Sequence, residues 1–329
     1  MRLTFTVQRY NPETDTKPHP EEYRLEISRG MTVLEGLIRI KNDQDGGLSL
    51  RYSCRSAICG SCSMEINGTE KLACRTSVRK ELERHGGVHV APLKNLPVIK
   101  DLVVDMSSFW GKVRDITPWL LSPSPASSDR EQAGDPARGQ QTLRPGAYQF
   151  HNVDACILCG ACVAACTTHE VSRNFLGPAA LAKAARFLAD PREPETAKRL
   201  RLKELQEDNG IWDCTRCNMC VEVCPKDVKP MEAIIRLRRA SLDAGLTATG
   251  GARHITGFCE IIERDGRLNE ALMPLKVIGF NLTRLLHVIP LGIRMFLKGK
   301  VPSPFGHTIP GIAQVRAIFS ASRARTGRP

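Results

Sequence analysis

The stretch Cys156-Ile-Leu-Cys-Gly-Ala-Cys-Val-Ala-Ala-Cys166 decides how this chain is organised, and its cysteine spacing returns in Cys214-Thr-Arg-Cys-Asn-Met-Cys-Val-Glu-Val-Cys224. Three cysteines of such a run bind one 4Fe-4S cluster, and the fourth binds the neighbouring cluster. The spacing therefore predicts two adjacent clusters that exchange ligands. The predicted ligands are Cys156, Cys159, Cys162 and Cys224 for one cluster, and Cys166, Cys214, Cys217 and Cys220 for the other.

A third group of cysteines lies nearer the start of the chain and consists of Cys54, Cys59, Cys62 and Cys74. Its spacing, Cys-x4-Cys-x2-Cys followed later by a fourth cysteine, is that of a plant-type 2Fe-2S cluster. Gly60 would permit close approach of the backbone to inorganic sulfide. Donors from four serines would tune the reduction potential, namely Ser53, Ser56, Ser61 and Ser63.

Zinc and disulfides are the alternative uses of these cysteines. Structural zinc usually takes its ligands as two separated pairs, which does not account for three closely spaced cysteines repeated twice. A structural zinc-binding scaffold remains the third interpretation of the chain. Cysteines two residues apart are poorly placed for disulfides, and the N-terminus has no apolar export signal. Cys259 stands alone in the sequence and is predicted to be a buried thiol.

Composition sets the general class. The chain has 329 residues, of which 42% are hydrophobic and 25% charged, so it is long enough for about two folded domains. Thirteen cysteines without a signal peptide favour a reducing compartment and bound metal. The longest uncharged run near the C-terminus, residues 301–315, is shorter than the roughly 20 residues needed to cross a bilayer, so we expect no transmembrane segment.

The first hundred residues predict a small unit of strands and one helix. Leu3, Phe5 and Val7 alternate with polar residues, as do Tyr23, Leu25 and Ile27. Thr32 and Glu35 form a capping box at the start of a helix that carries Leu34, Leu37 and Ile38. Asn67-Gly68 predicts a hairpin turn. Together these signals outline a β-grasp domain of the 2Fe-2S ferredoxin type.

The second half predicts helices. Residues 122–146 are rich in Ser, Pro, Gly, Gln and Arg and indicate a linker. Residues 179–189, 196–206 and 231–242 are rich in strong helix formers. We therefore predict an α+β chain. Its predicted parts are a β-grasp domain at 1–105, a connecting segment and linker at 106–145, an all-α bacterial-ferredoxin-type two-cluster domain at 146–245, and a basic C-terminal extension at 246–329.

Four stretches of the sequence resemble the iron-sulfur subunit of succinate dehydrogenase and fumarate reductase, the respiratory complex II family. They are Tyr52-Ser-Cys-Arg-Ser-Ala-Ile-Cys-Gly-Ser-Cys62, Cys156-Ile-Leu-Cys-Gly-Ala-Cys162, Phe175-Leu-Gly-Pro-Ala and Cys224-Pro-Lys226. The resemblance covers residues 1 to about 245. It implies an electron-transfer subunit without catalytic acid, base or nucleophile. It also implies an FAD-containing flavoprotein partner, membrane anchor subunits, a quinone acceptor and a peripheral position on the cytoplasmic face of the cell membrane.

Two departures from that family bear on the last cluster. Most members lack a cysteine at the position of Cys217 and hold a 3Fe-4S cluster there, whereas this chain has a fourth ligand. Thr167-Thr-His-Glu170 replaces the usual aromatic residues, and Thr215 replaces a common histidine. The usual quinone pocket is therefore altered, and His169 is expected to be structural or solvated. Cys217, with the tail Lys298–Gly306, also resembles iron-sulfur subunits of thiol-driven fumarate reductases and heterodisulfide-reductase-like complexes, which is the second interpretation.

The C-terminal extension is strongly basic. From residue 271 to the end there are nine Lys or Arg and no Asp or Glu, within a net charge of +12. Residues 277–299 predict an amphipathic helix, kinked at Pro290, with Arg284, His287, Arg294 and Lys298 on one side. Such a helix suits an anionic membrane surface. Packing on its own domain or on a partner subunit is the alternative. No motif indicates nucleic-acid binding, and Arg55 is a candidate contact to an acidic flavoprotein.

Overall fold

The computed structural model describes residues 2–121, 150–279, 282–300 and 308–326. The chain divides into two compact units, residues 1–237 and 238–329. Most of the predicted linker, from residue 122 onward, lies outside the described residues. None of the described helices is long and apolar enough to cross a bilayer.

The first unit begins with a mixed five-stranded sheet. Its strands are β1 (Arg2–Arg9), β2 (His19–Glu26), β3 (Ser63–Ile66), β4 (Thr69–Leu72) and β5 (Val88–Ala91), and their spatial order is β2-β1-β5-β3-β4. Strand β1 pairs antiparallel with β2 and parallel with β5. The alternating residues Leu3, Phe5 and Val7 are buried, as the sequence period predicts.

Two helices pack with this sheet, α1 (Val33–Arg39) and α2 (Val78–His85). The predicted capping box is confirmed, because Thr32 accepts a hydrogen bond from the Glu35 amide at 3.2 Å and Glu35 accepts one from the Thr32 amide at 2.8 Å. Gly36 of α1 faces the Phe5 ring so closely that a Cβ would lie 2.5 Å from it. The helix therefore packs tightly against the sheet at this glycine.

The predicted hairpin turn also forms. Asn67 and Gly68 connect β3 to β4 with φ angles of 50° and 76°. These left-handed conformations are the ones that Asn and Gly tolerate. A two-stranded sheet of β6 (Val98–Lys100) and β7 (Val103–Val104) follows, and then helix α3 (Ser107–Asp115).

Helices dominate the chain beyond residue 150. They are α4 (Ala161–Ala164), α5 (Thr167–Val171), α6 (Pro178–Leu188), α7 (Glu195–Leu205), α8 (Met219–Glu222) and α9 (Pro230–Asp243). The three helices predicted at 179–189, 196–206 and 231–242 are confirmed to within one residue at each end. Alanine is frequent on the buried surface of α6, which lets neighbouring backbone approach closely.

The second unit contains α10 (Gly250–Asp265), α11 (Leu272–Ile278), α12 (Leu282–Leu297) and α13 (Ile312–Thr326). Helix α10 packs against both α11 and α13. The predicted helix at 277–299 is shorter at its start, because Gly279 (φ 60°) ends α11 before α12 begins. Helix α12 continues through Pro290. The side chain of Arg284 lies outside the described residues.

The prediction that Cys259 is buried is wrong, because this thiol is exposed. Helix α10 buries Ala252, Gly257 and Ile261. Cys259 follows Gly257 by two positions, which places it about 200° around the helix from that glycine. It therefore faces away from the packed side.

Candidate metal centres

The loop that carries the first three cysteines directs backbone N–H groups at sulfur. The amides of Ser56, Ile58 and Cys59 lie 3.3–3.4 Å from the sulfur of Cys54. Such donors stabilise a thiolate over a thiol. Arg55 and Ala57 adopt positive φ angles of 55° and 56°, which turn successive amides inward.

The fourth cysteine of this group is placed by the hairpin. Cys62 directly precedes β3, and the Ala73 amide donates to the Cys62 carbonyl at 3.0 Å after β4 has returned the chain. Cys74 follows immediately and accepts a hydrogen bond from the Ala57 amide at 3.3 Å. The hairpin thus brings Cys74 back to the loop, as the spacing predicts.

The thiols of this loop differ in their pKa values. Hydrogen bonds from the Ser61 hydroxyl and the Cys54 amide lower the pKa of Cys59 to about 6. Burial raises the pKa of Cys62 to about 12, and the nearby Cys74 and Cys59 thiols add to this effect. Positive charge on a bound iron would favour the thiolate at both positions.

A contact between backbones joins this loop to the second group of cysteines. A Cβ placed on Gly60 would lie 2.7 Å from the Cβ of Cys159 and 3.0 Å from its Cα. Gly60 also has a positive φ of 73°. Gly60 therefore lets the first loop approach the next cysteine loop closely, while its approach to inorganic sulfide stays a prediction. A hydrogen bond also joins the N-terminal domain to the third group of cysteines, since the Arg75 guanidinium donates to the Pro225 carbonyl at 3.1 Å.

The structure brings together the four cysteines predicted for the first 4Fe-4S cluster. One cavity is lined by Cys156, Cys159, Cys162 and Cys224, with an apolar wall that includes Ala179, Ala182, Val228 and Pro230. Burial raises the pKa of the Cys156, Cys159 and Cys162 thiols, and repulsion from neighbouring thiols adds to it. Neutral thiols there would release protons on binding iron.

The remaining four cysteines also lie near one another. Burial raises the pKa of Cys220 to about 12, with contributions from Cys214, Cys166 and Cys217. Burial of Cys217 opposes its ionisation, but hydrogen bonds, the largest from the Thr167 hydroxyl, lower its pKa. The Cys162 thiol is near enough to Cys220 to be affected by it. The second and third groups are therefore neighbours.

The two cysteine runs share a backbone pattern. Leu158 and Gly160 have φ angles of 52° and 83°, and the corresponding Arg216 and Asn218 have 60° and 69°. Each run then enters a four-residue helix, α4 or α8, and these helices pack together. Asn218 takes the position of a glycine because asparagine tolerates the left-handed conformation.

Two asparagines that no sequence motif identifies hold these runs in place. The side-chain amide of Asn95 donates to the backbone carbonyls of Val163, Ala164 and Cys166 at 2.9–3.2 Å. The side-chain amide of Asn152 donates to the backbone carbonyls of Lys226 and Asp227, both at 2.8 Å. Both partners are distant in sequence, so no local signal predicts these contacts.

His169 is buried, which agrees with a structural role. Its amide donates to the Cys166 sulfur at 3.4 Å, and its ring nitrogen Nδ1 lies 3.4 Å from the Lys112 amine. Burial, together with the charges of Lys112 and Arg173, lowers the pKa of His169 to about 4. The ring is therefore neutral at pH 7.

The donor set fits iron-sulfur clusters chemically. Thiols surround a cavity, and backbone amides of the first loop point at the Cys54 sulfur. Within the described residues, no three His, Cys, Asp or Glu side chains are arranged around a single metal ion.

Comparison with known families matches both cysteine-bearing regions. Residues 4–111 match a family described as a 2Fe-2S iron-sulfur cluster binding domain. Residues 152–228 match a 4Fe-4S dicluster domain. The chain is therefore α+β, with a strand-containing 2Fe-2S domain followed by a helical 4Fe-4S domain. These matches favour iron-sulfur clusters over structural zinc.

Relatives show how the two domains are combined. The fumarate reductase iron-sulfur subunit of Haemophilus influenzae is 39% identical over 235 residues, covering 70% of this chain and 90% of the relative. That of Mycobacterium tuberculosis is 40% identical over 238 residues, covering 72% and 92%. The chain belongs to the fumarate reductase and succinate dehydrogenase iron-sulfur subunit family. It is thus an electron-transfer subunit of an oxidoreductase.

A solved structure supports the membership. A chain of the Mycobacterium smegmatis Sdh1 complex in the apo form matches with a TM-score of 0.62 and 28% identity. The match covers 74% of this chain and 96% of that one. The match to the 4Fe-4S dicluster domain ends at residue 228, before the second unit begins.

Proposed function

We propose that this subunit carries electrons between an FAD-containing flavoprotein subunit and a membrane quinone, on the cytoplasmic face of the membrane beside an anchor subunit. Its N-terminal domain is then a β-grasp ferredoxin-like domain and its helical domain a bacterial-ferredoxin-type pair of sites. When bound, an iron-sulfur cluster stores and releases one electron at a time.

One observation carries the proposal. The first loop touches Cys159 through Gly60, and Cys159 lines the cavity that Cys224 joins from the other run. Three groups of thiols therefore form a continuous series. We assign Cys54, Cys59, Cys62 and Cys74 to a 2Fe-2S cluster, Cys156, Cys159, Cys162 and Cys224 to one 4Fe-4S cluster, and Cys166, Cys214, Cys217 and Cys220 to a second.

The protein's own residues have three tasks in this function. The thiolates hold the iron, and the amides directed at Cys54 stabilise negative charge on its sulfur. The apolar wall around the middle group limits access of water. At the outer end of the first loop, Tyr52 and Ile58 are exposed, with Arg55 stacked 5.5 Å from the Tyr52 ring centre. This surface is our candidate contact for the flavoprotein.

Cys217 favours the thiol-linked alternative as a second candidate. A fourth thiolate adds negative charge and lowers the potential of the last cluster. A low potential suits a thiol-driven fumarate reductase or a heterodisulfide-reductase-like complex better than quinone reduction. Purified holocomplex distinguishes the two functions, since only the first candidate reduces a quinone analogue with succinate as the sole electron donor.

Iron analysis with a matched pair of variants tests the cluster assignment. Three clusters as assigned give about ten irons per chain, and about nine if the last is 3Fe-4S. We expect Cys217→Ser to change the cubane signals in electron paramagnetic resonance and to leave the 2Fe-2S signal intact. Cys259→Ser, which removes the exposed thiol outside the three groups, should change neither. Unaltered cubane signals in Cys217→Ser would contradict the assignment.

A further inference from the structure

Helix α12 presents its apolar side chains to solvent. From Leu286 to Leu297 every residue is exposed except Gly292, which is half-buried. Phe296 and Leu297 are 73% and 79% exposed. The other large apolar residues on this surface are Leu286, Val288, Ile289, Leu291, Ile293 and Met295. This continuous apolar surface therefore requires a binding partner that shields it from water.

The charged residues of this helix and of the sequence after it are all basic. No Asp or Glu occurs from residue 271 to the end of the chain. By helical period, His287, Arg294 and Lys298 lie along one side of α12, and Ile289, Ile293 and Phe296 lie roughly opposite. The cations thus form a narrow stripe, and apolar side chains cover most of the remaining helix surface.

The cations near the end of α12 are available to an external partner. The described ion pairs of this unit join Arg264 with Asp265, Lys276 with Glu260 and Arg323 with Glu263. Arg316 donates to the carbonyls of Glu263 and Arg264. Arg294, Lys298 and Lys300 have exposed side chains and take part in none of these contacts.

We propose that α12 lies in the plane of an anionic phospholipid surface, with its apolar side in the acyl region and Arg294, Lys298 and Lys300 at the phosphate level. The bilayer interface offers apolar and anionic layers in the order that this helix requires. A second copy of the chain would cover the apolar side but would leave Arg294, Lys298 and Lys300 without an anionic partner. This proposal does not depend on the electron-transfer function.

Vesicle binding by the full chain with its clusters bound tests the proposal. We expect binding to vesicles of phosphatidylcholine with about 30% phosphatidylglycerol, and little binding to phosphatidylcholine alone. Each cation at the surface strengthens binding about fivefold. The variant Arg294→Gln/Lys298→Gln/Lys300→Gln should therefore bind roughly 100-fold more weakly. The variant Phe296→Ser/Leu297→Ser should also lose binding, although all cations remain.

A matched control removes three exposed cations from the first unit, in the variant Lys17→Gln/Arg29→Gln/Lys80→Gln. It has the same net charge as the first variant and should bind like the wild type. Unchanged visible absorption in each variant shows that the cluster-bearing unit remains folded. The proposal is overturned if the control loses as much affinity as Arg294→Gln/Lys298→Gln/Lys300→Gln, or if the wild type does not bind anionic vesicles. Self-association of the wild type that Phe296→Ser/Leu297→Ser abolishes, without vesicle binding, would identify a second copy as the partner and also overturn it.

Discussion

The hydroxyl of Thr167 lies 3.4 Å from the sulfur of Cys217 and donates a hydrogen bond to it. Thr167 directly follows Cys166 in sequence and hydrogen-bonds to Cys217. It therefore links two cysteines that the spacing assigns to the same cluster. A donor at a thiolate sulfur stabilises its negative charge. On our cluster assignment, it would therefore oppose the fall in reduction potential that a fourth thiolate causes.

Replacement of Thr167 by valine should lower the reduction potential of the last cluster. A hydrogen bond contributes about 1 kcal/mol, which corresponds to roughly 40 mV for one electron. Potentiometric titration followed by electron paramagnetic resonance measures the shift. Thr167→Ser keeps the hydroxyl and should retain the wild-type potential. Equal potentials in Thr167→Val and the wild type would show that the hydroxyl has no influence on the cluster.

Replacement of Gly60 by alanine should disrupt the junction between the first two cysteine loops. The new Cβ would meet Cys159 at 2.7 Å and would also force alanine into a positive φ. Gly68→Ala is the matched control, because Gly68 has a φ of 76° and nothing within 4 Å of the added Cβ. We expect the control to lose about 1 kcal/mol of unfolding free energy and Gly60→Ala to lose about 2–4 kcal/mol. Similar losses in both variants would show that the contact with Cys159 is unimportant.

Glu81 should make the stability of the cysteine-bearing hairpin depend on pH. The buried carboxylate accepts hydrogen bonds from Asn67 at 2.9 Å and Lys71 at 2.8 Å. Burial alone would raise the pKa of Glu81, but these bonds lower it below its ordinary value. The stabilisation is therefore complete above the unfolded pKa of about 4.3 and is lost as the pH falls through the lower folded pKa.

At pH 7 we expect Glu81→Gln to lose about 1.5–3 kcal/mol in denaturant unfolding followed by circular dichroism. The difference from the wild type should shrink below about pH 4. Glu83→Gln on the same helix removes an exposed carboxylate, which pairs with Arg79 only at 3.6 Å, and should have almost no effect. A lower unfolding free energy of Glu81→Gln than of the wild type that persists at low pH would contradict this account.

Arg201 should be essential for the stability of the helical part of the first unit. It is 2% exposed, pairs with the buried Glu193 at 2.6 Å, and donates to the carbonyls of Ile116 and Thr117. Arg201→Met would leave the Glu193 carboxylate buried without its cation, and should cost about 3–5 kcal/mol in unfolding free energy. Lys203→Met, an exposed position on the same helix, should stay within about 0.5 kcal/mol of the wild type.

Local signals predicted the elements of this fold well. The capping box at Thr32, the Asn67-Gly68 turn and the alternation around Phe5 depend on neighbouring residues, and each forms as expected. The spacing of the two runs also predicts that Cys156 and Cys224 lie close together, and both line one cavity.

Long-range contacts could not be predicted in the same way. Gly60 meets Cys159, and Asn95 meets the carbonyls before Cys166, across about 70 to 100 residues of sequence. The exposure of Cys259 depends on which side of α10 its neighbours cover, and composition carries no information about that. The shorter α12 reflects a single backbone angle at Gly279.

Solvent reaches the three groups of thiols unequally. Cys59 and Cys217 are exposed, whereas the four thiols around the central cavity are all partly buried. Dioxygen and peroxide therefore meet sulfur first at the two ends of the series. During handling in air, we expect iron to be lost from the two terminal sites before the central one. Oxidative inactivation would then stop electron transfer to the partner subunits while the central site still held its iron.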